Sequence, residues 1–193
     1  MTNNQEIMKM KSVISGVSVS LLCLLSGCER SGSESYQRPP THPGREALAA
    51  FFTADVPSET VTVGELLQDP PEGGVVTVEG KIGGTPTPFG DGYAVFFLAD
   101  ESLVFCNEMG DDHCPTPWDA CCEDPDKASR NRILVQFSDE TGEIVAGTVK
   151  GVNDLREMDR VVIRGKVLPA AGGGVVMDVM SLSRISGPPS PAL

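Results

Sequence analysis

Two stretches of the chain repeat one pattern: Val76-Thr77-Val78-Glu79-Gly80-Lys81-Ile82 and Val161-Val162-Ile163-Arg164-Gly165-Lys166-Val167. Both follow V-x-[VI]-x-G-K-[IV], with β-branched residues at alternate positions, the period of a strand that buries one face. A glycine inside a strand weakens it, so it marks a bulge, a sharp bend or a close backbone approach. Strands that bend midway are what a small closed sheet requires, because such a strand serves two sides of a barrel.

Alternation recurs outward from these two stretches. Ala94, Phe96 and Leu98 alternate with Tyr93, Val95 and Phe97, and Ile133, Val135 and Phe137 alternate with Leu134, Gln136 and Ser138. A last apolar run, Val175 to Leu182, is entered through Gly172, Gly173 and Gly174. Asp139-Glu140-Thr141-Gly142 is a turn that leads to a possible strand over residues 143–149. Short helices are expected over residues 63–68 and 152–157. The fold class is therefore all-β, with five short strands, bent members at the first and fourth places and a short helix before the fourth. This pattern resembles the OB-fold, a small five-stranded Greek-key barrel. The passage Leu155-Arg156-Glu157-Met158-Asp159-Arg160-Val161 and onward to Val167 is similar to the helix-to-strand passage of OB domains of the tRNA-anticodon-binding-like superfamily, with Met158 where that wording has glycine. The barrel is expected over residues 59–185; another small barrel or a sandwich is the alternative.

The chain has 193 residues, 27 acidic and 15 basic, and a formal charge of −12. Nucleic-acid binding draws its affinity from clustered Lys and Arg, so an oligonucleotide partner is not expected despite the barrel. Aromatic residues make up 5 %, and 21 Gly and 15 Pro divide the chain into short elements, which excludes a helical bundle.

Lys9 and Lys11 precede an apolar run from Ser12 to Ser26, the layout of a secretory signal over residues 1–27. The run is short for a spanning helix, which needs about 20 apolar residues. Its end, Leu25-Ser26-Gly27-Cys28, resembles the lipobox of bacterial lipoproteins. That resemblance implies that Cys28 carries diacylglycerol and a further acyl chain such as palmitate, and that the domain stands at the cell envelope, facing the periplasm or the cell exterior. Loss of the signal makes the mature chain one charge more negative, since it removes Lys9, Lys11 and Glu6. Residues 28–58 form a polar tether containing His42, with an amphipathic helix possible near Leu48, Phe51 and Phe52. Residues 186–193 are a Pro-rich tail expected to be disordered.

A Cys-rich insertion, residues 106–126, separates the second and third strands. Of six cysteines, Cys23 leaves with the signal and Cys28 is lipidated, so four remain: Cys106, Cys114, Cys121 and Cys122. An even number in an oxidising compartment implies two disulfides, with the pairing open between Cys106-Cys121 with Cys114-Cys122 and Cys106-Cys122 with Cys114-Cys121. Pro115, Pro117 and Pro125 stiffen the loop, and Trp118 could cover it. The alternative is a zinc or copper site made by Cys106, His113, Cys114, Cys121 and Cys122, with Glu108, Asp111, Asp112 and Asp119 as harder donors. The C-x7-C-x6-C-C spacing lacks the paired C-x2-C knuckles of ordinary structural zinc sites.

With only His42 and His113, nucleophilic triads are hard to build, so a hydrolytic or redox enzyme ranks third. The expected function is a membrane-anchored extracytoplasmic binding module without a resident cofactor. Its loop, with Trp118 and Asp119 foremost, would meet an envelope protein or glycan; a metal-binding lipoprotein is second.

Overall fold

The computed structural model describes residues 43–110, 113–171 and 174–186. The signal segment, Cys28, His42, Asp111, Asp112, Gly172, Gly173 and the tail from residue 187 lie outside the described residues. Among the described residues no helix is long and apolar enough to cross a membrane.

Helix α1 (Pro43–Ala49) is followed by the short strand β1 (Val61–Thr62) and by α2 (Val63–Gln68). Thr62 starts α2 because its hydroxyl accepts from Glu65 N while the Glu65 carboxylate accepts from Thr62 N, a reciprocal cap that turns Val63 and Leu66 into the core. The barrel strands are β2 (Val75–Ile82), β3 (Val95–Ala99), β4 (Arg132–Gln136), β5 (Arg160–Pro169) and β6 (Val175–Ser186), and α3 (Pro125–Arg130) precedes β4. The sheet runs β2-β3-β4-β6-β5, and β5 pairs again with β2, so it closes. Within the closed sheet β4 and β6 are parallel and the other neighbours antiparallel, while β1 adds itself parallel to β2. This is a five-stranded OB-like Greek-key barrel with one extra strand.

The two repeated stretches are partners in the sheet. Val78 faces Ile163 at their common centre, Val76 faces Gly165, and Gly80 faces Val161. A Cβ on Gly80 would lie 2.5 Å from the Ala99 carbonyl oxygen, at the place where β2 leaves β5 and begins to pair with β3. A Cβ on Gly165 would lie 2.5 Å from the Asp178 carbonyl oxygen, beside a slip in the β5–β6 register. Each glycine thus permits the backbone crossing that turns a barrel corner.

Phe96, Phe137, Leu98, Ile133, Ile163, Met177 and Leu182 fill the interior. Leu48 of α1 joins them, and Phe51 packs edge-on to Phe137 with ring centres 5.3 Å apart, so the apolar face of this segment lies on the barrel. Residues 143–149 contribute only isolated bridges, Ser138 with Ile144 and Tyr93 with Ala146, instead of the expected strand. Gly147 at φ 102° breaks the extended run, and Ile144 is left partly exposed. The expected helix over 152–157 shrinks to a 3-10 turn at Val152–Asp154, because Asn153 and Asp154 both take left-handed backbone. Met158 is left-handed too, at φ 69°, the conformation that favours glycine, and it is held there by its N–H bond to the Ile82 carbonyl.

Candidate functional site: a thiol cluster beside the barrel

The chain leaves β3 at Ala99 and returns to β4 at Arg132 through a loop closed at its base by Asp100. The Asp100 N–H donates to the Asn131 carbonyl, and its carboxylate accepts from Gly64 N, Ser102 N and the Ser102 hydroxyl. Ala99, Leu103, Phe105, Ala120 and Ala128 make a second small core, with Met158 packed against it. The insertion therefore has an apolar interior of its own, and Asp124 starts α3 within it by accepting from Lys127 N, with Pro125 in the first turn.

Phe105 leads into a 3-10 turn, Cys106–Met109. Glu108 folds back over that turn and accepts from Phe105 N at 2.7 Å. Both its oxygens also lie 2.9 Å from Lys81 Nζ, and this ammonium, on a barrel strand and nearly inaccessible, sits 4.2 Å from the centre of the Phe105 ring. Lys81 thus ties the barrel to the segment that carries Cys106.

A second tie comes from the opposite side of the loop. Cys106 N donates to the Asp119 carbonyl and Asn107 N to the Pro117 carbonyl, which pairs the two limbs. Gly84 N donates to the Trp118 carbonyl, and the Trp118 indole N–H donates to the Pro86 carbonyl. The fit is close: a Cβ on Gly83 would stand 2.5 Å from the Trp118 oxygen and 2.6 Å from the Phe105 ring.

These ties bring three sulfurs together. Cys106 Sγ lies 3.3 Å from Cys121 Sγ, Cys121 Sγ lies 3.8 Å from Cys114 Sγ, and all three fall within 4.8 Å of one another. None of the four cysteines of the loop is joined in a disulfide. The three differ in access, Cys106 being buried, Cys114 half-buried and Cys121 exposed. Burial above all, and then the hydrogen bond with Cys121, push the Cys106 thiol up to about 12. Cys114 is lowered, chiefly by the hydroxyl of Thr116 at 3.3 Å. For Cys121 the contact with Cys106 acts downward, but Cys114, burial and Cys122 together outweigh it and raise the thiol. The cluster holds protons that an entering cation must displace.

The other expected site residues are placed differently. Cys122 and His113 are exposed and stand outside the close group. Glu108 is engaged with Lys81. Asp119 is buried and accepts from Ala120 N, so it shapes its own turn. Trp118 staples the loop to residue 86. Lys81, Thr116, Gly83 and Gly84 were not expected at this site. The spacing of Phe105 and Glu108 is the one legible hint, since an acid at the third position of a turn commonly returns to its first N–H. On the strands where OB barrels receive oligonucleotides, Phe97 lies half-buried with the Arg132 guanidinium 5.5 Å from its ring centre, and Arg132 itself donates to the Gly84 carbonyl.

No protein family matches the chain, and no curated protein does. A crystal structure described as an aspartyl-tRNA synthetase from Leishmania major Friedlin is similar over 76 % of this chain and 26 % of its own, at 10 % identity and a TM-score of 0.41. The chain thus spans about a quarter of that neighbour, and likeness at this level carries no argument for function.

Proposed function

We propose that the chain is a lipid-anchored binding module of the cell envelope, facing the periplasm or exterior, and that its insertion binds a thiophilic metal ion. The observation that carries the metal reading is the convergence of Cys106, Cys114 and Cys121. Sulfurs bound to one tetrahedral ion at about 2.3 Å stand roughly 3.8 Å apart, close to the 3.3 and 3.8 Å found. Two disulfides would divide four cysteines into pairs; the metal reading is supported by three sulfurs lying within 4.8 Å of one another with Cys122 outside that group. Trp118 and Asp119, the residues expected to meet an envelope protein or glycan, have partners within the chain, Trp118 at the Pro86 carbonyl and Asp119 at Ala120 N, which moves the support from a macromolecule to an ion. The anchor rests on Leu25-Ser26-Gly27-Cys28 and the apolar run before it.

The test is metal analysis of the full mature chain, purified in detergent under anaerobic conditions, with thiols counted by alkylation before and after chelation. One ion per chain is expected, with Cys122 reacting at once and Cys106, Cys114 and Cys121 reacting only after a chelator has removed the ion. Two intact disulfides with no bound ion would overturn the proposal.

A further inference from the structure

We infer that the site is three-coordinate, all-sulfur and open on the Cys121 side, and that the ion it takes is monovalent copper, held for exchange with another carrier. This rests on the metal-binding reading above. The argument begins with what the site lacks among the described residues: the close group contains three sulfurs and no imidazole or carboxylate. Among the described residues, the loop carboxylates Glu108 and Asp119 have other work, Glu108 with Lys81 and Phe105 N, Asp119 with Ala120 N. A structural zinc ion is almost always four-coordinate, so three thiolates leave it one ligand short. Monovalent copper is a soft ion for which thiolates are the preferred ligands, and it is satisfied by three.

The distances permit this assignment without deciding it. Three sulfurs around an ion in one plane at about 2.3 Å stand roughly 4.0 Å apart, and around a tetrahedral ion roughly 3.8 Å. From the observed 3.3 Å edge the tetrahedral shape needs an opening of about 0.5 Å and the planar one about 0.7 Å, so donor type and number decide.

Access supplies the second half of the inference. Buried Cys106 forms the floor of the site, half-buried Cys114 its wall and exposed Cys121 its rim. A structural ion is enclosed on all sides. Here the ion would face solvent on one side, where a thiolate or thioether of another molecule can add before Cys121 lets go. Copper enters as the monovalent ion and stays so. Three S–H protons leave to solvent as three copper–sulfur bonds form, and no electron is transferred.

The experiment uses the reduced, anaerobic, full mature chain with two probes, monovalent copper delivered from a competing chelator and divalent zinc. Copper is expected to bind one per chain, to displace zinc, and to show three sulfur neighbours and no nitrogen by X-ray absorption. Cys122→Ser should leave this unchanged. Cys114→Ser should weaken copper by more than the roughly 100-fold that loss of an outer-shell partner costs at metal sites, with the β-sheet circular dichroism intact. If zinc binds and copper fails to displace it, or if Cys122→Ser or His113→Ala removes a fourth ligand, this inference falls while the metal-binding proposal stands. If neither ion binds, both fall.

Discussion

The tie between Lys81 and Glu108 makes an asymmetric prediction about stability. The Lys81 side chain is 7 % exposed and that of Glu108 43 %, although the two share one ion pair. Glu108→Gln leaves an ammonium without a counter-charge where water hardly reaches it. Stranding one member of a fully buried pair costs about 3–5 kcal/mol, and a retained neutral acceptor lowers this to about 2–3 kcal/mol here. Lys81→Met keeps the apolar stem and strands only a carboxylate that solvent already touches. Its cost is the worth of a surface pair, about 0.5–1 kcal/mol, with a similar amount for the lost contact to the Phe105 ring. Urea titration of the two variants and of the double variant reads the difference. In thermal terms, at about 2–4 °C per kcal/mol for a chain of this size, Glu108→Gln should lower Tm by roughly 4–12 °C. Lys81→Met should lower it less, by roughly 2–8 °C on the same conversion. The double variant should be more stable than Glu108→Gln alone, because it removes the stranded ammonium. Equal losses in the two single variants, or a double variant that loses their sum, would refute the reasoning. The same pair has a functional readout: Glu108 holds the turn that presents Cys106, so Glu108→Gln should speed alkylation of Cys106.

Three other outcomes follow from particular contacts. Gly83→Ala should destabilise by about 1–3 kcal/mol in a denaturant titration, since its Cβ would overlap the Trp118 carbonyl and the Phe105 ring; a neutral effect would show that loop and barrel do not pack as described. Burial alone would raise the Asp100 carboxyl, but donation from Ser102, Gly64 and Thr62 outweighs it and lowers the group from 3.8. A carboxyl lowered on folding stabilises the fold above its unfolded pKa, and that contribution is lost as pH falls through the folded value. The stability gap between the protein and Asp100→Asn should therefore be full at pH 7 and shrink below about pH 4, and a gap that widens in acid would contradict this. Cys28→Ala should abolish fatty-acid labelling and release the chain from membranes, and a variant still labelled would remove the argument for the anchor.

The barrel was legible because its information is local. Alternation at residues 94–98, 133–137 and 161–167 marks strands wherever one face is buried, and Gly80 and Gly165 mark the corners. That the two repeated stretches pair with each other was not legible, since spacing along the chain carries no register between distant strands. The expected strand over 143–149 failed for a different reason. Its alternation is real, but Gly147 at φ 102° interrupts the extended run, and only two bridges form.

The thiol site separates what sequence order can express from what it cannot. The pattern C-x7-C-x6-C-C names four sulfurs and argues against ordinary zinc knuckles, yet convergence depends on contacts with residues well outside it. Lys81 reaches Glu108 across 27 positions, and Trp118 reaches residue 86 across 32. Each contact fixes one limb of the loop against the barrel, so the cysteines meet only because both limbs are fixed. Within the loop, Asp119, Thr116 and the paired limbs fix the orientation left over. If the thiols met merely because the loop is short, then releasing either tie would leave them together. If the barrel sets their spacing, Glu108→Gln and Gly83→Ala, 25 residues apart in sequence, should weaken metal binding alike, each without touching a sulfur. The second outcome is the one the packing requires, because Phe105, which leads directly into Cys106, is the residue that Lys81 and Gly83 both contact.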